Sequence, residues 1–177
     1  MKKRLLLVGS AALPVFLAAG LVLSQNQGRI GGTGFARTHT FPVIAEQFDV
    51  QISDPDTSGY RQIAVAIPVS QLNTNIGLRN MHMKTAIFKG KEFPLVTYQA
   101  RTQAPLEPGT VTLEGTLTIN GIQESHPLTV ELVQQDGVLH AVGSTLVHPT
   151  HFDMPLVGMG PMKLLDKVDM SFDIALQ

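Results

Sequence analysis

Polar and apolar residues alternate along most of this chain. In VDMSFDIAL (168–176), Val168, Met170, Phe172, Ile174 and Leu176 share one face, while Asp169, Ser171 and Asp173 share the other. A period of two marks a strand with one buried side. The same period runs through IAEQFDVQI (44–52), with Ile44, Phe48, Val50 and Ile52 inward. In VTLEGTLTI (111–119), Val111, Leu113, Leu117 and Ile119 oppose Thr112, Glu114, Thr116 and Thr118. HPLTVEL (126–132) places Leu128, Val130 and Leu132 together, and further strands are expected at 34–41, 61–69, 93–102 and 138–147. SDPDTSG and PLEPG punctuate the pattern as turns, and Asn120–Gly121 and Asp136–Gly137 are short-hairpin signals that make their flanking strands antiparallel.

One stretch, QLNTNIGLRNMHMKTAIF (71–88), breaks the alternation. Ile76, Met83, Ile87 and Phe88 recur at looser spacing, so 79–88 is expected to be a short helix, with Asn73, Thr74 or Asn75 as its cap. PLVGMGPMKLLDK (155–167) reads as a loop or a helical turn. About eight antiparallel strands, each with one apolar face, suggest an all-β closed barrel or a flattened sandwich, since closure removes exposed edges. An eight-stranded barrel has room inside for packed side chains or one small ligand.

The first residues follow a different rule. Lys2, Lys3 and Arg4 precede an apolar run from Leu5 to Leu23, the layout of a secretory signal. Residues 1–24 are therefore expected to be a signal peptide or an uncleaved inner-membrane anchor. Residues 25–33 follow as a Gly-rich lead and residues 34–177 as a single barrel domain. The location implied is periplasmic or secreted. With no cysteine in the chain, the domain must hold together without disulfides.

Composition narrows the function. Hydrophobic residues make up 44% and charged residues 15%, with a net charge of −1, which excludes both a disordered chain and the basic footprint of a nucleic-acid binder. Catalytic signatures are missing: there is no Gly-x-Ser-x-Gly elbow, no cysteine nucleophile and no phosphate-cradling glycine loop. The expectation is a binding protein, not an enzyme, and one that requires no cofactor.

VAIPVSQLNTNIGLRNMHMKTAIFKGKEFPLVTY (65–98) resembles a pattern of the YceI-like, polyisoprenoid-binding family. There, a strand ending in a Val-x-Val-Pro-x-x-Ser-Leu-x-Thr type run leads into a helix carrying Arg-Asp-x-His, and an aromatic and Phe-Pro open the next strand. Val65, Ile67, Pro68, Val69, Leu72 and Thr74 match the first part, Arg79, Asn80 and His82 the second, and Phe88, Phe93 and Pro94 the last. GTLTINGIQESHPLTVEL and the ending STLVHPTHFDMPL…LLDKVDMSFDIAL are similar to the family's hairpin and final strand. Asn80 stands where the family has Asp, and His148–Pro149 where it has Arg.

The resemblance implies an eight-stranded antiparallel lipocalin-like barrel with one short helix, enclosing a polyisoprenoid or an isoprenoid quinone. Candidate ligand-binding residues on that basis are Phe48, Ile67, Phe88, Phe93, Tyr98, Leu117, Leu132, Phe152 and Phe172, with Arg79 and His82 as a polar anchor at the rim. Transient membrane contact and a homodimer are the further partners it allows. Two other readings stay open. VHPTHFDMPLVGMGPM (147–162) holds two histidines and three methionines, and His148, His151 and Met154 have the donor chemistry of an exported copper or haem site. In the bland alternative the methionines fill gaps at the barrel mouth. A ligand-free structural or adaptor barrel with a filled core is the third reading.

Overall fold

The computed structural model describes residues 20–23 and 28–176. Most of the expected signal, residues 1–19 and 24, lies outside the described residues. The backbone of Gly20–Leu23 forms a short strand, β1. It is followed by β2 (Gly28–Ala36), β3 (Thr40–Ala45), β4 (Asp49–Ser53) and β5 (Arg61–Pro68). A 3₁₀ turn at Val69–Gln71 leads to the two-residue β6 (Leu72–Asn73), then to α1 (Gly77–His82) and a π-helical turn at Met83–Ile87. The remaining strands are β7 (Leu95–Thr102), β8 (Gly109–Ile119), β9 (Ile122–Ser125), β10 (Leu128–Gln135), β11 (Val138–Val147) and β12 (Leu164–Leu176). Two 3₁₀ turns, Pro149–Phe152 and Gly160–Met162, interrupt the long connection before β12.

All pairings are antiparallel, in the order β1-β4-β5-β7-β8-β10-β11-β12-β2-β3-β6, with β9 added beside β8. β3 and β4 stand towards opposite ends of this order yet are consecutive in the chain, joined by residues 46–48 alone. The sheet must therefore curl until its two ends meet, which makes a lipocalin-like barrel. The seam is bridged by the run after β5: Ile44 pairs with Asn73 and Ala45 with Leu72, and the Glu46 N–H donates to the Gln71 carbonyl at 2.9 Å. Both expected hairpins are present, with Ile119 opposite Ile122 and Gln135 opposite Val138.

The strand count departs from eight. Among the described residues nine strands have five or more residues, and β1, β6 and β9 are shorter. Two expected strands straddle bends. The stretch 34–41 contains the turn between β2 and β3, and 44–52 contains the corner between β3 and β4. The apolar alternation survives that corner because Phe48 still points inward. Its phase does not survive, so Ala45 is buried and Ile44, expected inside, is 39% exposed. Of the expected Gly-rich lead, residues 25–27 lie outside the described residues and residues 28–33 belong to β2, hydrogen-bonded to β12 on one side and β3 on the other. Gly34 is needed there because the Phe41 ring lies over it, within 2.4 Å of where a Cβ would sit.

The expected helix begins two residues early and ends as a π turn, and no side chain caps it. Asn73, Thr74 and Asn80 instead form a small network. The Asn80 Oδ1 accepts from the Thr74 N–H and hydroxyl, both at 2.7 Å, and its Nδ2 donates to the Asn73 Oδ1 at 2.9 Å. Asn73 in turn accepts from the Asn75 N–H and donates to the Glu46 carboxylate. These bonds fasten the start of α1 to the β3–β4 corner.

Candidate functional site: an apolar cavity inside the barrel

The inward positions of the long strands do not close up on one another. They enclose a cavity of about 280 Å³. It runs the length of β12, since Leu164 and Leu176 both line it, along with Val168, Met170, Phe172 and Ile174 between them. Ile63, Val65 and Ile67 of β5, Leu113 and Leu117 of β8, and Leu128, Val130 and Leu132 of β10 supply much of the remaining wall. This is the direct product of period-two patterning: each strand turns every second side chain to the same interior.

The polar exceptions on the wall are Tyr98, Thr102, His126, Thr145 and Lys167. The Tyr98 hydroxyl donates to the Leu113 carbonyl at 3.3 Å, and burial, with the nearby Glu114, pushes its pKa up to about 12. Its ring occupies the space over Gly115, where a Cβ would come within 2.1 Å of the hydroxyl oxygen. Thr102 satisfies its hydroxyl locally by accepting from the Ala104 N–H at 3.0 Å. His126 sits in the break between β9 and β10, its Nε2 2.8 Å from the Thr145 hydroxyl, and burial lowers its pKa so that the neutral ring is favoured. His126 and Thr145 thus form one hydrogen-bonding pair in an otherwise greasy wall.

Exposed residues line the cavity at both ends: Pro105 in the β7–β8 connection at one, and Pro155 and Leu165, near the start of β12, at the other. Leu165 is 41% exposed. The pairing of β12 with β2 jumps from Leu164–Ala36 to Val168–Gly34, so β12 carries a bulge there. Such a bulge re-aims side chains, and Leu165 and Lys167 both reach the cavity beside it. The Lys167 ammonium lies 4.5 Å from the Phe35 ring and 3.2 Å from the Asp169 carboxylate. The Arg79 guanidinium stacks 4.7 Å from the Phe41 ring centroid. Phe35 and Phe41 both line the cavity, so each aromatic at this end carries a cation.

The structure brings together six of the residues expected to bind ligand: Ile67, Phe88, Tyr98, Leu117, Leu132 and Phe172. Phe48 and Phe152 are buried, but they pack within the walls and are absent from the cavity surface. Phe93 lies against Gly121 at the β8–β9 tip, away from the lining. Of the pair expected as an anchor at the rim, Arg79 stacks on Phe41 of the lining and His82 is exposed; neither lines the cavity itself. The helix instead turns Met83 inward, where it lines the cavity. His126, Thr145 and Lys167 were missed. His126 stands two residues before β10 with the parity that Leu128, Val130 and Leu132 already carried, whereas Lys167 reaches the cavity beside a bulge that no local pattern announces.

The His/Met stretch is also resolved into parts. His148 and His151 have ring centroids 5.2 Å apart, and the His148 Nδ1–H donates to the Asp166 carbonyl at 2.8 Å. Partial burial acts to raise the Asp166 pKa, but bonds from the Thr150 hydroxyl and N–H, with both histidines nearby, hold it below the usual value. Met154 does not stand free beside the histidines as a soft ligand; it is buried in the cavity wall with Phe152 and Val147. Among the described residues, no three His, Asp or Glu side chains are grouped to hold a metal ion.

Comparisons with known proteins agree with this architecture. BcnA of Burkholderia cenocepacia superposes with a TM-score of 0.70 at 17% identity, over 85% of this chain and 96% of that one. A polyisoprenoid-binding domain from Saccharophagus degradans gives 0.71 at 15% identity, over 87% and 95%. The YceI protein of Campylobacter jejuni gives 0.56 at 18% identity, over 99% and 98%. Comparison with curated protein sequences returns no significant match. A family model described as the YceI-like domain matches residues 23–176, and the chain belongs to that family.

Proposed function

We propose that this protein is an exported, non-catalytic binding protein that holds one long apolar isoprenoid, either a polyisoprenoid or an isoprenoid quinone, inside the barrel. The observation that carries the reading is the cavity. A volume of about 280 Å³ drawn out along a 13-residue strand is narrow, which suits a linear chain better than a compact ring system. Its wall is almost wholly apolar, so each methylene taken from water is worth roughly 0.8 kcal/mol. Affinity then comes from chain length and needs little polar help. The Saccharophagus degradans domain that shares the fold is described as polyisoprenoid-binding, which supports the same class of ligand. The basic, apolar first residues support export.

Native mass spectrometry of the protein purified from its own host, followed by organic extraction, tests this reading. An adduct of isoprenoid mass that extracts into solvent is the expected result; a metal or haem adduct, or none, overturns it. Two variants sharpen the test. Phe172→Asp puts a charge on the cavity wall, and Ala141→Phe fills the cavity without changing polarity. Both should lower lipid recovery at least tenfold, while Glu114→Ala, on the outer face, should leave it unchanged. Equal recovery from all three would place the lipid elsewhere.

A further inference from the structure

The surface around the end of the cavity near the start of β12 has a composition unlike the rest of the molecule. Met159 is 87% exposed, Leu78 72%, Met81 59% and Met162 58%, the highest values among the large apolar residues left in solvent. All four belong to segments that touch the hairpin formed by β2 and β3. Leu78 and Met81 flank Arg79, which stacks on Phe41 just after that turn. Met159 and Met162 flank the 3₁₀ turn whose Pro161 carbonyl accepts from the Thr38 hydroxyl at 3.1 Å, and the neighbouring Lys163 carbonyl accepts from the Arg37 N–H at 3.1 Å. Leu165, an exposed residue of the cavity lining, follows this loop at the start of β12.

Cations predominate on these segments. Residues 34–41, 71–88 and 154–169 carry Arg37, Arg79, Lys84, Lys163 and Lys167 against two acids, Asp166 and Asp169, the second 3.2 Å from Lys167, while the whole chain has 13 Lys and Arg against 14 Asp and Glu. Asp166 accepts hydrogen bonds from Thr150, and Asp153, just before the loop, pairs with Lys89 at 2.9 Å. Exposed Leu and Met ringed by Lys and Arg is the composition of a surface that dips into lipid headgroups. Each cation near an anionic leaflet adds attraction that salt screens.

We propose that the collar around this end of the cavity is a docking surface for an anionic phospholipid bilayer. Leu78, Met81, Met159 and Met162 enter the headgroup layer, and Arg37, Lys163 and Lys167 meet lipid phosphates. Docking in this pose sets this end of the cavity against the membrane, so an apolar cargo crosses between bilayer and barrel without passing through water. The surface lies outside the cavity and is tested without reference to what the cavity holds.

The chain has no tryptophan, so one introduced indole reports its own surroundings. Leu78→Trp and Met159→Trp in the full chain place it on the collar, and Leu146→Trp places it on the outer face of β11. Emission is followed as vesicles of phosphatidylglycerol and phosphatidylcholine, or of phosphatidylcholine alone, are added. The expected result is a blue shift at both collar positions with the anionic vesicles, reversed by salt, with little shift on phosphatidylcholine and none at position 146. Because the reading is local, an N-terminal segment that itself enters the bilayer does not produce it. No shift at either collar position overturns the proposal, as does an equal shift at 146. A shift that follows protein concentration without vesicles assigns the patch to a second copy of the chain and overturns it too.

Discussion

Asn80 shows how one amide can settle a local geometry. Its oxygen serves two donors of Thr74 and its nitrogen serves Asn73, so both ends are used. Asp at this position, the residue the family resemblance led one to expect, could not donate to the Asn73 oxygen. Asn80→Asp should therefore cost about 1–2 kcal/mol through repulsion and the lost bond. A melting temperature equal to the parent's would show that Asn73 simply reorients. His126 makes a second prediction at this scale. Burial holds its folded-state pKa below the ordinary 6.5, so an unfolded chain takes up a proton that the folded chain refuses. The stabilising contribution is complete above that value and declines as pH falls beneath it. The parent should lose more melting temperature between pH 7 and pH 5 than His126→Gln, and parallel profiles would remove His126 as the cause.

Among the elements, those with uninterrupted alternation were legible and those with a bend were not. The inward sets of β8 and of β12 from Val168 onward were readable from residue type, because a straight strand keeps its parity. The corner at residues 46–48 was not, since the two residues between Ala45 and Phe48 reverse the phase and expose Ile44. β2 was illegible for another reason. Glycines lower strand propensity, yet Gly34 is required by the Phe41 ring lying over it. Gly34→Val should push that ring out of place and destabilise the protein by about 1–3 kcal/mol, the usual cost of overpacking. Denaturant unfolding with an unchanged midpoint would mean that Phe41 has room to move. The bulge after Leu164 belongs to the same class, because its effect, turning Lys167 to the cavity end, depends on where β2 lies.

For the whole molecule, the alternation of apolar residues and the two hairpin signals determined antiparallel strands with one apolar face each, closed as a barrel or packed as a flattened sandwich, and the family resemblance pointed to the barrel. Those features act over a few residues at a time, which is why they can be read along the chain. Whether the interior was filled or hollow could not be read that way, because a packed core and a cavity wall present the same side chains at the same period. Closure decided it. Pairing of β12 with β2 and the bridge from β5 through β6 to β3 set the circumference, and at that circumference the inward side chains leave about 280 Å³ open. The same closure separated Phe48, Phe93 and Phe152 from the cavity aromatics and set the loop that carries Met159 and Met162 against the turn between β2 and β3. Each of these results depends on contacts between segments far apart in sequence, which only the folded chain brings together.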